Sequence, residues 1–318
     1  MGCCTEQYPF EHHPFPLEYS VMKRCYRLSL AVMAVLLGFC ALLNAQEVKP
    51  AKILLFTRSQ GFEHEPAKLL NDGTTGAGRA LKNYFAEKKI EIVETQDGGV
   101  FDGDIGQYDA FVFYTSGNLL DASGSKNDKA KPMTEAGFRK MIAAVQSGKG
   151  FLGIHSATDS HTGNLKDEED VDLYTKLVGA RFASHGDQQD ATLTIVEPTA
   201  FPSLKADGKS ITLRDEWYAM NQYNKDIHVV LIQETDGMVG RDYARPPFPA
   251  TWIRKEGQGR AGYTSFGHDN NYFAINIKRI GDLVEWAVGR IEADMTPNIE
   301  RVTPGFAEMP ARQQRQAN

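Results

Sequence analysis

Short apolar runs alternate with amphipathic segments through the first half of the chain. Runs typical of strands lie at 52–57, 90–95, 109–115 and 151–154. Between them, apolar residues recur at helical spacing in 76–89 and in a segment that Thr134 can cap and that runs to Val145. Strands that alternate with helices at this spacing form parallel sheets covered on both faces. The pattern predicts a doubly wound, mostly parallel α/β sheet.

The second half is richer in strand signals. These signals lie at 191–197, 211–218, 228–234, 250–254 and 260–266. Residues 172–180 and 275–291 have helical patterns, and residues 121–132 are typical of a mobile surface loop. We therefore expect additional strands in the second half of one α/β domain spanning 46–292, followed by a polar C-terminal tail at 293–318.

The first 45 residues have the pattern of an export signal. An apolar run at 28–43 follows three basic residues, and small residues offer a cleavage point after Ala45. Met22 begins a conventional signal peptide, which indicates a mis-assigned upstream start codon. The run is short for a membrane span, so we predict an exported protein, periplasmic or extracellular, with no stable membrane insertion after cleavage. An uncleaved anchor is the alternative.

Composition narrows the chemistry. All four cysteines (Cys3, Cys4, Cys25 and Cys40) precede the predicted cleavage site, so the mature chain has no disulfide, cysteine-ligated zinc or thiolate nucleophile. The net charge of −6 disfavours nucleic acid as a partner. The glycine-rich segment 74–80 lacks the Gly-Lys-Ser/Thr ending of a phosphate loop, so no nucleotide cofactor is expected.

Three histidines follow predicted strands. His64 lies beyond the first strand, His155 directly follows the buried strand at 151–154, and His268 follows the strand at 260–266. Ligands of open α/β sheets bind at the carboxyl ends of the strands. We therefore expect these three imidazoles to share one rim.

His155 has the surroundings of a nucleophile elbow. Gly153 and Ala157, two positions to either side, are small enough for a tight strand-to-helix turn that holds one side chain at the sheet edge. An imidazole there makes a poor acyl carrier, but it can transfer protons or bind a metal. The alternative is a structural histidine bonded to a loop carbonyl.

Further polar candidates lie in the second half. His185 is in a predicted loop, and Asp215 and Glu216 end a predicted strand, where alternation turns neighbouring side chains to opposite faces. One carboxylate then faces the rim; alternatively both are solvated while Trp217 and Tyr218 fill the core. Histidines without cysteines suit a zinc-like divalent ion, although no tight ligand motif such as HExxH is present.

Five ordered fragments together resemble the ThuA-like (trehalose utilisation) family, whose fold is similar to class I glutamine amidotransferases. They are KILLFTRSQGFEHE, FLGIHSATD, LVGARFASHG, RDEWYAM and PATWIRKEGQGRAGYTSFGHDNNYF, within about residues 50–292. The resemblance implies a flavodoxin-like sheet and a role in carbohydrate metabolism. It also implies that the shared motif set contains His64, His155, His185, Asp215, Glu216 and His268. The amidotransferases carry cysteine at the elbow, so His155 there excludes their cysteine mechanism.

These observations support a hypothesis about function. The chain is expected to be an exported enzyme acting on a sugar, keto-sugar or glycoside, as a hydrolase, lyase or isomerase. His155, His64, Asp215 and Glu216 are the candidate catalytic residues, and His155, His185 and His268 the candidate metal ligands. The aromatic rings expected to stack on a sugar are those of Phe62, Trp217, Tyr218 and Trp252. The alternative is a non-catalytic carbohydrate-binding or regulatory module on the same scaffold.

Overall fold

A computed structural model describes Gly2 and residues 49–163 and 172–310. The predicted export signal therefore lies almost wholly outside the described residues, as does the end of the C-terminal tail. Residues from Pro50 onward belong to one compact unit. Among the described residues, none of the helices combines the length and the apolar character needed to cross a bilayer.

The strands of the described residues are numbered in chain order. They are β1 Ala51–Phe56, β2 Ile90–Thr95, β3 Ala110–Phe113, β4 Gly117–Asn118, β5 Gly150–Ile154, β6 Ser160–His161, β7 Arg181–His185, β8 Gln189–Ile195, β9 Ser210–Asp215, β10 Tyr218–Asn221, β11 His228–Gln233, β12 Phe248–Glu256 and β13 Gly259–Thr264. The α-helices are α1 Gly76–Phe85, α2 Glu135–Gln146, α3 Leu173–Val178, α4 Pro202–Asp207, α5 Asn270–Ile275, α6 Ile277–Ala287 and α7 Ile299–Val302. Short 3-10 turns cover Glu65–Ala67, Gly98–Asp102, His155–Asp159 and Arg241–Tyr243.

Nine strands form the central sheet, in the order β2-β1-β3-β5-β13-β12-β11-β8-β9. The five strands from β2 to β13 pair in parallel. The four strands beyond them pair in antiparallel fashion. Each antiparallel pairing reverses the strand direction, so β12 and β8 run opposite to the other seven strands, while β11 and β9 run in the same direction as β13. The prediction of a mostly parallel sheet with additional strands in the second half is confirmed.

Helices cover both faces of the sheet centre. Every residue of β3 and β5 is buried, as their continuous apolar sequence predicts. A Cβ added to Gly150 would meet Ala287 of α6, whereas one added to Gly153 would meet Val178 of α3. Positions three apart on a strand face opposite ways, so α6 and α3 lie on opposite faces. The doubly wound arrangement follows.

Some boundaries differ from the sequence-based predictions. The predicted strand 211–218 is two strands, because β9 ends at Asp215 and β10 begins at Tyr218. The predicted helix 275–291 begins at Ile277 and ends at Ala287, since Asn276 separates α6 from α5. His185, expected in a loop, ends β7, which pairs with β10 in a separate two-stranded sheet. Because Glu216 lies in the break between β9 and β10, the direction of its side chain is not set by the alternation of side chains along a strand.

The predicted surface loop at 121–132 is tied to the end of β1. Arg58 is 1% exposed, and its guanidinium donates to the carbonyl oxygens of Asp121, Ala130 and Lys131 at 2.9–3.1 Å. A buried guanidinium is stable only when its donors are paired. These three carbonyls therefore stabilise the buried Arg58, and Arg58 in turn fixes the loop. The loop therefore encloses one side of the carboxyl-end rim.

Candidate metal centre

Three loops at the carboxyl ends of parallel strands supply three imidazoles. His64 lies eight residues beyond β1, His155 immediately follows β5, and His268 lies four residues beyond β13. Parallel strands end at the same edge of a sheet, so loops far apart in sequence meet there. The expected convergence on one rim is observed, and the ring centroids lie 4.8 Å (His64–His155), 5.1 Å (His64–His268) and 5.4 Å (His155–His268) apart.

Glu216 completes this group. Its Oε2 atom lies 3.0 Å from His268 Nδ1, 3.7 Å from His155 Nε2 and 3.9 Å from His64 Nε2. One nitrogen from each histidine and one carboxylate oxygen all lie within 4.8 Å of one another. We call His64, His155, Glu216 and His268 the His–Glu cluster. Three imidazoles and one carboxylate form a common ligand set for zinc-like divalent ions.

The elbow predicted at His155 is present as a tight, strained turn. His155 has a φ of +46°, a left-handed conformation that costs a non-glycine residue on the order of 1–3 kcal/mol. A Cβ at Gly153 would lie 2.8 Å from Val178 Cγ2 and 3.1 Å from Ala157 Cβ, so only a glycine fits at this turn. The turn raises the His155 imidazole at the sheet edge and points it toward Glu216.

The hydrogen bonds of His155 determine its tautomer. Its Nδ1 lies 2.9 Å from the Ser265 carbonyl oxygen, which can only accept, so Nδ1 carries the proton. Nε2 therefore presents a lone pair, and it has no hydrogen-bond partner. A backbone carbonyl that fixes one ring nitrogen while the other stays free is the usual surroundings of a metal-ligating histidine.

Of the other two imidazoles, only His268 turns an unpartnered nitrogen toward Glu216, because the His64 nitrogen nearer Glu216 is Nε2, which contacts Tyr218. His64 Nδ1 is buried without a hydrogen-bond partner, while its Nε2 lies 3.2 Å from the Tyr218 hydroxyl. His268 Nδ1 lies close to Glu216 but without hydrogen-bond geometry. Unpaired buried polar atoms each cost on the order of 1–3 kcal/mol. Two of them, His155 Nε2 and His268 Nδ1, lie within 3.7 Å of the same Glu216 oxygen, where a cation could satisfy both.

Burial and charge set the protonation of the cluster. Burial lowers the pKa of His155 to about 4 and also lowers that of His64, so both are neutral near pH 7. Burial opposes ionisation of Glu216, but its contacts with the three imidazoles outweigh burial and hold its pKa well below the ordinary value. Burial also opposes the charge of His268, and Glu216 outweighs it and raises the His268 pKa. His64 and His155 are therefore ready to bind a cation beside the ionised carboxylate, whereas His268 would have to release the proton that Glu216 favours.

Asp215 points away from the cluster and supports it from behind. Its side chain is fully buried and accepts backbone N–H groups from Gly267 at 2.7 Å, His268 at 3.1 Å and Glu216 at 2.8 Å. Burial raises the Asp215 pKa to about 6, and these three hydrogen bonds oppose the rise. Asp215 therefore fixes the backbones that carry two members of the cluster, and it does not face the rim.

His185 lies beside the His–Glu cluster rather than within it. Its side chain is 42% exposed, its Nδ1 contacts Glu216 Oε1 at 3.4 Å, and the same nitrogen donates to the Gly186 carbonyl at 2.9 Å. The predicted ligands His155 and His268 come together, whereas His185 occupies the opposite oxygen of the carboxylate. His64 and Glu216, predicted as catalytic residues, take positions beside those two ligands.

The four predicted stacking residues are in different environments. Phe62 is 65% exposed, with its ring 4.7 Å from that of His64. Trp217 and Trp252 are fully buried, and their indole N–H groups donate to the carbonyls of Gln189 and Val178, so neither presents a face to a ligand. Core packing explains both tryptophans.

Tyr218 is also buried, as part of the wall of the cluster. Its ring packs 4.4 Å from that of His155 and 4.3 Å from that of Phe182. The Tyr218 hydroxyl contact with His64 could not be recognised from the sequence. Nor could the Ser265 carbonyl, because a backbone acceptor has no residue-type signal.

Comparisons with known proteins identify relatives of this fold. A family model described as "ThuA: Trehalose utilisation" matches residues 52–279, which contain the whole His–Glu cluster. A ThuA-like protein from Bacteroides uniformis is 17% identical with a TM-score of 0.55, over 80% of this chain and 98% of its own. A ThuA-like protein from Parabacteroides merdae is 16% identical with a TM-score of 0.54, over 83% and 98%. At this identity the two structures show the fold alone. No curated protein matches significantly.

Removal of Asp215 is expected to destabilise the rim. In Asp215→Ala two buried N–H groups and one part-buried N–H group lose their acceptor, and at about 1–3 kcal/mol for each, the free energy of unfolding should fall by about 3 kcal/mol or more. Asp215→Asn keeps one oxygen and should lose less. Asp190→Ala removes an exposed carboxylate and is the matched control. Urea denaturation measures all three, and equal stability of the two alanine variants would contradict this role.

Asp159, at the end of the turn begun by His155, should make stability depend on pH. Burial raises its pKa from 3.8 to about 6, against Arg181 and His185, so the folded state binds this proton more tightly than the unfolded chain. The tighter proton binding stabilises the folded state fully below about pH 4, and this stabilisation is lost as the pH rises through 6. The free energy of unfolding of Asp159→Asn should equal that of the parent near pH 4 and exceed it by about 1–3 kcal/mol at pH 7. Parallel stability curves against pH would exclude this effect.

Proposed function

The chain belongs to the ThuA family, and from this premise we propose that it is an exported, metal-dependent enzyme acting on a carbohydrate. The family description, trehalose utilisation, points to a carbohydrate-related role. The observation that carries the enzymatic proposal is the His–Glu cluster, in which three imidazoles surround one ionised carboxylate and two of them turn an unpartnered buried nitrogen toward it. The strain at His155 supports it, because such conformations persist mainly at functional sites.

The proposed cofactor is a zinc-like divalent cation held by the His–Glu cluster. The residues fit this ion in ligand type, protonation and supporting contacts: the Ser265 carbonyl orients His155, and Asp215 anchors the backbones of Glu216 and His268. Such an ion supplies a Lewis acid that polarises a carbonyl or hydroxyl oxygen of the substrate. The exposed ring of Phe62, beside His64, offers an apolar face for a sugar ring.

His185 is the proposed proton-transfer residue. Its Nδ1 is held by Glu216 and the Gly186 carbonyl, while Nε2 makes no hydrogen bond to any described residue. A base oriented by a carboxylate is a recurrent catalytic arrangement. In a keto-glycoside, the C–H next to the carbonyl gives its proton to Nε2, the bond to the β oxygen breaks, and that oxygen leaves as a hydroxyl group after taking the same proton back from Nε2. This elimination requires no oxidant, reductant or covalent enzyme intermediate.

Export is a separate part of the proposal and rests on the apolar run at 28–43 and the cleavage point after Ala45. N-terminal sequencing of protein recovered from the periplasm or the medium tests it. The mature chain should begin at Gln46. An intact N-terminus on protein that stays in the cytoplasm would contradict export.

The enzymatic proposal predicts metal-dependent turnover. After dialysis against zinc, the purified chain should hold about one ion per chain and cleave a 3-keto-glycoside. His155→Ala and Glu216→Gln remove one ligand each and should lose the ion and at least about 100-fold in kcat/KM, as does chelation. His185→Ala should keep the ion and lose turnover alone.

The matched control is His228→Gln, because His228 is bonded to the Thr296 carbonyl and is not part of the cluster. It should retain both the ion and the activity. A chain that binds the ion but leaves keto-glycosides unchanged would contradict catalysis and favour a carbohydrate-binding module. Full metal content in both cluster variants would contradict the metal site itself.

A further inference from the structure

A groove beside the His–Glu cluster has His185 in its lining. Its volume is about 440 Å³, and its lining residues are His185, Gly186, Asp187, Gln189, Val239 and Gly240. The volume lies within the roughly 300–1,000 Å³ typical of small-molecule sites. His185 forms the shared wall, because its Nδ1 contacts Glu216 on one side while its exposed side lines the groove. We call this feature the His185 groove.

We propose that the His185 groove is a second sugar subsite, which holds the ring next to the one that reacts at the His–Glu cluster. This inference rests on the proposed function and adds to it the place that the second ring of a glycoside substrate occupies. Its support comes from the rigidity of the groove, its surface chemistry and its direct continuity with Glu216 through His185.

Gln189 fixes the two walls of the groove to each other. Its Nε2 donates to the Val239 carbonyl at 2.8 Å and to the Asp187 carbonyl at 3.3 Å, and its Oε1 accepts the Val239 N–H at 2.8 Å. One side chain thereby joins the segment after His185 to the segment before Gly240. A gap between two free loops would have no such connection.

A second set of bonds holds the floor. The Tyr243 hydroxyl accepts the Gly186 N–H at 3.0 Å and donates to the Trp217 carbonyl at 2.7 Å. The Trp217 indole donates to the Gln189 carbonyl at 2.8 Å. Ligand affinity is improved when a site needs no ordering on binding, because the entropy cost is already met in the free protein. The groove is therefore formed before a ligand arrives.

The groove surface suits a pyranose ring. Val239 is 78% exposed in this groove, and its methyl groups offer a contact for the C–H face of a sugar. Asp187 is exposed in the same groove and can accept hydrogen bonds from hydroxyl groups. An apolar contact combined with a few convergent polar groups is typical of small-molecule sites.

The test compares binding of trehalose, as the disaccharide probe, with binding of glucose. By calorimetry on the zinc-dialysed chain, trehalose should bind at least about tenfold more tightly than glucose. The double variant Val239→Ser/Asp187→Ala should weaken trehalose binding by at least about fivefold and leave glucose binding and metal content unchanged. The matched control Leu69→Ser/Asp190→Ala replaces an exposed apolar residue and an exposed acid elsewhere, and it should bind like the parent.

The outcomes separate this inference from the proposed function. Equal binding of the two sugars, no trehalose binding, or an unchanged trehalose affinity in the double variant would each overturn the subsite, even if keto-glycosides are cleaved. Groove-dependent trehalose binding by a chain without turnover would establish the subsite and remove the catalytic proposal. A parallel loss of glucose binding would show that the groove belongs to the reacting ring and would also overturn a separate subsite.

Discussion

The contact of the buried Glu216 carboxylate with three imidazoles is the interaction on which the rest of the structure depends. An ionised group removed from water is costly unless opposite charge or hydrogen-bond donors compensate it. Here two of the three imidazoles have lowered pKa values and contribute little positive charge, so only His268, whose pKa is raised, compensates Glu216 when no cation is bound. The negative charge of Glu216 and the free lone pairs of the imidazoles would both be stabilised by a cation at the same point. The surrounding loops therefore have to hold these side chains in one arrangement.

The fold accepts local costs to keep this arrangement. His155 is held in a left-handed conformation, Asp215 is buried to anchor two backbones, and Glu216 leaves strand geometry between β9 and β10. Each costs folding free energy that an ordinary loop would avoid. A fold tolerates such local costs where the surrounding structure is stable enough to hold them. The fully buried strands β3 and β5 provide that stability here.

The parts predictable from the sequence were those with local signals. Continuous apolar runs marked the central strands, and the ends of parallel strands placed His64, His155 and His268 together before any coordinates were known. The sequence predicted that one of Asp215 and Glu216 faces the rim, but not which one, because that depends on where β9 stops. The sequence could not show whether Trp217 and Trp252 lie in the core or at the rim, since aromatic residues occupy both places; both are buried. Pairing of His185 with Tyr218 across two strands is likewise a tertiary property.

X-ray absorption spectroscopy of the zinc-loaded chain tests the central claim most directly, because it reports the ligands of the ion without reference to any substrate. The account predicts three imidazoles and at least one oxygen, with Zn–N distances of about 2.0–2.1 Å, and loss of one imidazole in His155→Ala. A spectrum dominated by water oxygens, or one that the substitution leaves unchanged, would contradict the account.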